Sequence, residues 1–310
     1  MTPNPKPSAA PEPSRADPDW VQASPARIDR ALRHAQSKVG GNWFVVDASE
    51  RVRDTPSRYV LADTELVVWR DDQGIGVAPA SCPHMGADLS TGRVCATGVV
   101  CPWHGLVLGH KGHGAWQPFP THDDGTLLWA RLPAGELSRP KPPALARPER
   151  NVAATFRFEL DCDPQDVIAN RLDPWHGAHL HGHSFEALEV TSAERDELRM
   201  RVRVKAFGPI RMDAEVMFSC PGPRSIVMTI EEGEGAGSVL ETHASPIAPG
   251  RTAVTEAIFA TTSRSKAMWL FERPWVRPFL RRQMVVHAKR LWNEDREYSE
   301  RRYSLRHAAG

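Results

Sequence analysis

The stretch SCPHMGADLSTGRVCATGVVCPWHG, residues 81–105, decides how the first half of this sequence folds. It holds two tight pairs, Cys82 with His84 and Cys101 with His104, separated by residues 85–100. A glycine closely follows each pair and, because glycine tolerates positive φ angles, each pair can sit in a tight turn. Two thiolates and two imidazoles are ligands that suit iron or zinc.

The pairing of one Cys with one His distinguishes these metals. Structural zinc sites of the Cys2His2 type usually pair Cys with Cys and His with His. In a Rieske [2Fe-2S] cluster, one iron has two Cys ligands and the other has two His ligands. We therefore predict such a cluster, held by Cys82, His84, Cys101 and His104, because scattered core residues would not form two matched pairs.

The motif CPH…CPWHG also resembles that of the Rieske proteins as a family. Rieske proteins of respiratory complexes have an additional Cys in each cluster loop, whereas this sequence has Ala87 and Trp103 at those positions. The resemblance is therefore to the oxygenase and ferredoxin branch of the family.

Composition sets the broad class. The 310 residues are enough for two domains, and a net charge of +1 gives no reason to expect nucleic acid or an anionic membrane as a partner. Of five Cys, three remain outside the cluster, and this odd number argues against a disulfide framework and favours a cytoplasmic compartment. No apolar run reaches the roughly 18 residues of a membrane span, so no integral membrane segment is expected.

Proline-rich stretches divide the chain into parts. Residues 1–24 are rich in Pro, Ala and Ser and are predicted to form a disordered tail. Residues 25–132 are predicted to form the all-β cluster domain, led by a helix that starts at Pro25. Residues 133–150 contain repeated prolines and are predicted to form a linker.

Residues 151–310 are predicted to form an α+β domain in which an antiparallel sheet grips a helix. Asp163 and Pro164 mark the start of a first helix. Apolar and basic residues then alternate along 198–205, as in a strand with one solvated face. A helical pattern runs from about Ser265 to the end. Such a cup would enclose an apolar pocket. Its candidate walls are Met212, Val216, Phe218, Met228 and Ile230 on the sheet and Met268, Leu270 and Phe271 on the helix.

The stretch NRLDPWHGAHLHGH, residues 170–183, is a second group of metal-binding side chains. Two His and one carboxylate on one side of Fe(II) leave coordination positions open for oxygen and substrate. The stretch supplies the imidazoles, and a distant acid would complete the set. A solvated, His-rich helix end without metal is the alternative reading.

This stretch resembles the catalytic domain of the Rieske non-heme iron oxygenases. The family pattern Asn-x-x-Asp-x-x-His-x-x-x-x-His falls on Asn170, Asp173, His176 and His181. The resemblance implies that His176 and His181 bind a mononuclear Fe(II), and that Asn170 lies near the iron without firmly binding it. His179 is then expected to be a neighbour of the site or a pocket wall.

The third iron ligand of that family is an Asp in the last helix, often preceded by an acid. Asp295 is the residue that fits this position, with Glu294 and Glu297 as rivals. Asp173 is placed to accept a hydrogen bond from the other ring nitrogen of His176. The resemblance implies that Asp173 also bridges to a cluster His of the neighbouring subunit in a homotrimer.

The sequence thus predicts a terminal oxygenase that uses O2 on a small apolar substrate, multi-ring or isoprenoid, with monooxygenation favoured over dioxygenation. Family outcomes also include demethylation and desaturation. No GxGxxG motif follows a predicted strand, so the electrons would come from a separate reductase or ferredoxin. The alternative is a Rieske electron-transfer protein whose second domain binds a ligand without chemistry.

Overall fold

The computed structural model describes residues 19–205, 211–262, 269 and 273–308. The chain begins there with two helices, α1 (Asp19–Gln22) and α2 (Pro25–Gln36). Residues 1–18 of the predicted disordered tail lie outside the described part, but its last residues differ from the prediction. Gln22 accepts a hydrogen bond from Trp175 Nε1 at 3.0 Å, and Asp19 pairs with His179 at 3.0 Å, so both ends of α1 are tied to the second domain.

The cluster domain consists of three small antiparallel sheets, each of three strands. Their cores share large apolar side chains such as Trp69, Leu66 and Leu128, which are fully buried. The strands are β1 (Trp43–Ala48), β2 (Ser57–Leu61), β3 (Thr64–Asp71), β4 (Gly74–Pro79), β5 (Arg93–Cys95), β6 (Gly98–Val100), β7 (Val107–Leu108), β8 (Thr121–Asp123) and β9 (Leu127–Arg131).

The second domain is a seven-stranded antiparallel sheet with the strand order β10-β16-β15-β14-β13-β12-β11. Its strands are β10 (Val152–Leu160), β11 (Phe185–Glu194), β12 (Glu197–Lys205), β13 (Arg211–Gly222), β14 (Ser225–Gly233), β15 (Val239–Ala248) and β16 (Arg251–Ala260). Its helices are α3 (Pro164–Arg171), α4 (His176–Leu180) and the long α5 (Arg277–Ala308). The predicted α+β class, a small β domain followed by a sheet packed on a long C-terminal helix, is confirmed.

The main core lies between this sheet and helices α3 and α5. One buried cluster contains Phe156 from the sheet, Ile168 from α3 and Trp292 from α5. Helix α2 joins the same cluster through Ile28 and Leu32. The predicted start of α2 at Pro25 is therefore correct, but the helix packs on the second domain and not on the cluster domain that follows it.

Two predicted helices have different bounds in the structure. The helix from Pro164 ends at Arg171, so the His-rich stretch forms a turn and a separate short helix, α4. Helix α5 begins at Arg277 after a turn at residues 273–276, and the predicted start near Ser265 lies outside the described residues. None of the helices in the described part of the chain has the length and apolar composition needed to cross a bilayer.

Candidate metal centres

The first centre lies at the tips of two loops, one after β4 and one after β6. Cys82 and Cys101 are buried, each 3% exposed, whereas His84 and His104 are exposed and their ring centroids are 4.7 Å apart. Each loop is closed by a backbone hydrogen bond to the carbonyl of its Cys, and the donating glycines have φ angles of 78° and 74°. The predicted ligands therefore come together, with thiols inside and imidazoles outside.

The surroundings of the two thiols suit thiolate ligands. Burial by itself raises the pKa of Cys101, but backbone N–H groups of Trp103 and His104 donate to its sulfur and bring the pKa below its ordinary value. Burial raises the pKa of Cys82 above its ordinary value, and backbone N–H groups of His84 and Met85, which donate to its sulfur, offset only part of that rise. Metal binding requires the deprotonated sulfur, so these donors fit a cluster that carries negative charge on its sulfurs.

The second centre forms where α3, α4 and α5 meet. His176 begins α4, and His181 follows its last residue. His176 Nε2 lies 3.1 Å and His181 Nε2 2.9 Å from the same oxygen, Asp295 Oδ1 on α5. One ligand atom from each of these three residues lies within 4.8 Å of the other two. The predicted iron ligands are thus brought together from two distant parts of the sequence.

These three residues fit a divalent iron. Burial raises the pKa of Asp295, but hydrogen bonds from His176 and His181 outweigh it and hold the pKa well below its usual range, so the carboxylate is ionised. Asn170 Nδ2 also donates to Asp295 Oδ1, at 3.1 Å, and the Asn170 side chain is fully buried. Two imidazoles and one carboxylate form the facial ligand set of non-heme Fe(II) sites.

Glu294 contacts the site from outside the triad. Its Oε2 lies 2.6 Å from His181 Nδ1, and its Oε1 lies 3.5 Å from His183 Nδ1. The sequence pointed to Glu294 only as a rival for Asp295. On a helix, adjacent residues point about 100° apart. Glu294 therefore points away from Asp295 and contacts the other ring nitrogen of His181. Glu297, the other rival, is exposed.

Asp173 lies beside His176 in the turn between α3 and α4, and is 7% exposed. Tyr298 on α5 donates to its Oδ2 at 3.1 Å, a partner that sequence reasoning missed. Burial raises the pKa of Asp173. The predicted hydrogen bond to His176 is not formed: Asp173 Oδ1 and His176 Nδ1 are both buried and have no partner among the described residues.

An outer cleft of about 430 Å³ leads to these two residues, lined also by Trp20, Trp175 and His179. His179 is exposed and pairs with Asp19, so it lines the cleft and not the metal site. On the sheet, the predicted pocket residues Val216, Phe218, Met228 and Ile230 do form one apolar cluster. The other predicted helical wall residues, Met268, Leu270 and Phe271, lie outside the described residues.

Comparison with known families divides the chain in the same way. Residues 42–132 match the sequence model of the Rieske [2Fe-2S] domain, and residues 133–310 match that of a domain of unknown function, DUF5914. The second match covers more than half of the chain. The chain therefore carries a Rieske [2Fe-2S] domain and a His-His-Asp triad consistent with mononuclear iron.

Among curated proteins, the chain is similar to the oxygenase component of chloroacetanilide N-alkylformylase from Rhizorhabdus wittichii, with 30% identity over 54% of each chain. It is also similar to the oxygenase component of 3-ketosteroid-9-alpha-monooxygenase from Rhodococcus rhodochrous, with 27% identity over 57% of this chain and 52% of that one. The chain spans about half the length of the curated relatives it matches.

Two solved structures show the same fold. Dicamba monooxygenase bound to 3,6-dichlorosalicylic acid aligns over 87% of this chain and 89% of its own, with a TM-score of 0.66 and 18% identity. The terminal oxygenase of carbazole 1,9a-dioxygenase from Novosphingobium sp. KA1 aligns over 91% and 87%, with a TM-score of 0.56 and 15% identity. On its family match, this chain belongs to the DUF5914 family; its cluster domain is a Rieske [2Fe-2S] domain, and its curated relatives include oxygenase components.

Proposed function

We propose that this protein is the terminal oxygenase component of a multi-component enzyme. The observation that carries the proposal is the convergence of His176, His181 and Asp295 in a chain that also has a Rieske domain. When bound, the cluster supplies single electrons, and an Fe(II) with open positions uses them to activate O2. A Rieske electron-transfer protein with an inert second domain would not need the buried triad.

The residues of this chain hold and connect the two groups. Cys82, Cys101, His84 and His104 hold the cluster at an exposed tip, where a separate reductase or ferredoxin can deliver electrons. Asp173 faces the outer cleft beside His176, with one carboxylate oxygen unpartnered in the described structure. This arrangement supports the role of Asp173 as the bridge to the cluster of a second copy in a homotrimer.

The proposed substrate is a small apolar molecule. The apolar cluster on the sheet includes Met200, Val202 and Val216, and Phe185 packs against it. The Phe185 ring is also close to the metal site, since its centroid lies 6.4 Å from that of His181. The name of one relative above refers to a ketosteroid, a multi-ring apolar molecule. We favour monooxygenation over dioxygenation, and a cytoplasmic location agrees with five Cys that form no disulfide with one another.

Metal analysis tests this function. Anaerobically purified protein should contain about three irons per two acid-labile sulfides, a reduced Rieske signal and, with nitric oxide, a nitrosyl-iron signal. D295A should lose the nitrosyl signal and oxygenation, yet keep the cluster's visible spectrum. Two irons per two sulfides after Fe(II) is added back would instead favour the electron-transfer protein.

A further inference from the structure

The first part of α5 and the turn before it have an unusual charge pattern. Residues 273–293 contain six cationic side chains and no Asp or Glu, although the whole chain has a net charge of only +1. The cations are Arg273, Arg277, Arg281, Arg282, Lys289 and Arg290. From Glu294 onwards the helix carries acids and bases mixed. The positive charge is therefore concentrated in this segment and does not show in the net charge of the whole chain.

Large apolar side chains project from the same part of the molecule. Trp275 is 73% exposed, Phe279 58% and Val286 56%. Phe279, Arg282, Val286 and Lys289 follow one another at steps of three and four residues, so they lie on one side of the helix. The opposite side is buried against the domain core through residues such as Ala288 and Trp292. We call the exposed side the outer face of α5, formed by Trp275, Phe279, Arg282, Val286, Lys289 and Arg290.

The cations of the outer face have no charge partners among the described residues. Arg281, which lies outside the outer face, pairs with Glu50. Arg282, Lys289 and Arg290 have no carboxylate partner within the described ranges of the chain. Beside them, between α5 and β10, runs a groove of about 370 Å³ whose lining combines apolar Pro278, Val285 and Val286 with Arg281, Arg282 and Lys289.

We propose that the outer face of α5 docks the protein on an anionic lipid surface. Trp and Phe side chains prefer the boundary between headgroups and acyl chains, and neighbouring Lys and Arg side chains bind anionic headgroups. Aromatic and cationic residues alternate on one convex helix face, which matches that boundary layer better than the shaped, mixed-charge surface of a protein partner. The cytoplasmic leaflet is anionic, so the charges are complementary there.

This inference goes beyond the proposed oxygenase and does not depend on it. Where the oxygenase acts on an apolar substrate, docking would bring the enzyme to the phase in which such a substrate dissolves. Asp295 lies on the same helix, so one element carries both the outer face and a ligand of the metal site.

Vesicle sedimentation with the full chain tests the proposal. The protein should bind vesicles of phosphatidylcholine with phosphatidylglycerol, bind far less to phosphatidylcholine alone, and dissociate as salt is raised. The double variants W275S/F279S and R282Q/K289Q should each lower the partition coefficient about tenfold or more. Cluster absorbance and iron content, unchanged in both variants, would show that the fold is intact.

Matched controls are available in the linker. Leu137 is 76% exposed and Lys141 is exposed, so L137S and K141Q remove the same kinds of side chain elsewhere. Both should bind vesicles like the unmodified protein. No binding to anionic vesicles, or equal losses in the control variants, would overturn the proposal. The proposal would also be wrong if the protein did not bind vesicles and R282Q/K289Q instead changed its oligomer mass or its affinity for an acidic electron carrier. That result would make this face a protein interface.

Discussion

A single oxygen, Asp295 Oδ1, lies within 3.1 Å of three side-chain nitrogens, from Asn170, His176 and His181. Which ring nitrogen of His181 faces this oxygen depends on Glu294. The Glu294 carboxylate lies 2.6 Å from His181 Nδ1 and can only accept there, so a metal-bound, neutral ring would keep its proton on Nδ1 and offer Nε2 to the metal in place of the hydrogen bond to Asp295. Glu294 therefore acts as a positioning residue.

We expect E294A to weaken Fe(II) binding at the mononuclear site about 10- to 100-fold, because His181 loses the group that fixes its tautomer and ring orientation. E294Q keeps an acceptor oxygen and should lose much less. Competition with a chelator, read by the nitrosyl-iron signal, gives both dissociation constants. E297A removes an exposed acid from the same helix and serves as the control. Equal affinities of E294A and the unmodified protein would contradict this role.

The sequence predicts a site residue reliably only where residues close together in the chain form the site. The two Cys-His pairs are local, and their spacing alone predicts loops that meet at one tip. Asp295, Glu294 and Glu297 are alike in sequence, and only the phase of α5 separates them: one is buried in the triad, one contacts the far side of His181, and one is exposed. Tyr298 carries no sequence signal, because its role depends on α5 packing against α3.

At the scale of elements, the end of α5 is fastened to the start of α3. Asp166, fully buried in the first turn of α3, accepts from Arg302 at 2.5 Å and from Arg306 at 2.7 Å. Arg306 also donates to Asp163, the residue before the helix, at 2.9 Å. These two helices carry Asn170 and Asp295, so the ion pairs fix the relative position of groups in the metal site.

D166A should lower the free energy of unfolding by about 3 kcal/mol, since it leaves two partly buried guanidinium groups without their shared partner. Thermal melting of the metal-free protein would measure the loss. D29A removes an exposed partner of Arg302 and should cost under about 1 kcal/mol. Similar losses in both variants would show that the Asp166 pairs do not fasten the helices.

Element boundaries were only partly predictable. The alternating pattern of β12 was clear because Arg199, Arg201 and Arg203 are solvated while Leu198 and Met200 are buried. Strand β11 was missed, since it lies at the sheet edge and its residues are mostly exposed or half-buried, without a strict period. The short helix α1 was hidden by its Pro-rich surroundings, because tertiary contacts and not local propensity hold it.

For the whole molecule, Arg147 in the linker connects the two domains. It donates to Glu241 of β15 at 2.6 Å and pairs at 3.0 Å with Asp124, in the cluster domain. Burial by itself raises the pKa of both carboxyls, but hydrogen bonds outweigh it and bring both pKa values below their ordinary range. The main donor to Asp124 is Arg147, and the main donors to Glu241 are His243 and Arg147. The linker was predicted from its prolines, whereas this attachment depends on distant strands and was not.

Stability should therefore fall in acid. A carboxyl whose folded pKa is depressed contributes stability at neutral pH that is lost as the pH falls below about 5. D124N should cost about 2 kcal/mol at pH 7, and its difference from the unmodified protein should shrink towards pH 3. Melting temperatures across this range would measure both, with the exposed D72N as control. A difference that stays constant with pH would contradict the assignment.

Asp173 concerns the assembly of several copies, because it lines the outer cleft and its buried Oδ1 has no partner among the described residues. If it bridges to the cluster of another copy, D173A should keep both metals but slow electron transfer between them at least about 100-fold. Single-turnover mixing of reduced protein with oxygen and substrate measures this rate. Normal transfer in D173A would remove the bridging role, and a lost nitrosyl signal would show damage to the iron site instead.

The triad joins parts of the chain that are far apart: His181 and Asp295 are separated by 114 positions. A cation held by both would therefore act as a cross-link that closes a long loop, and the entropy removed from the unfolded chain is large for loops of this size. Chelation would cut that cross-link and leave α5 attached mainly by its ion pairs and packing. We expect proteases to attack the iron-depleted chain first, so that iron starvation shortens the lifetime of the protein itself.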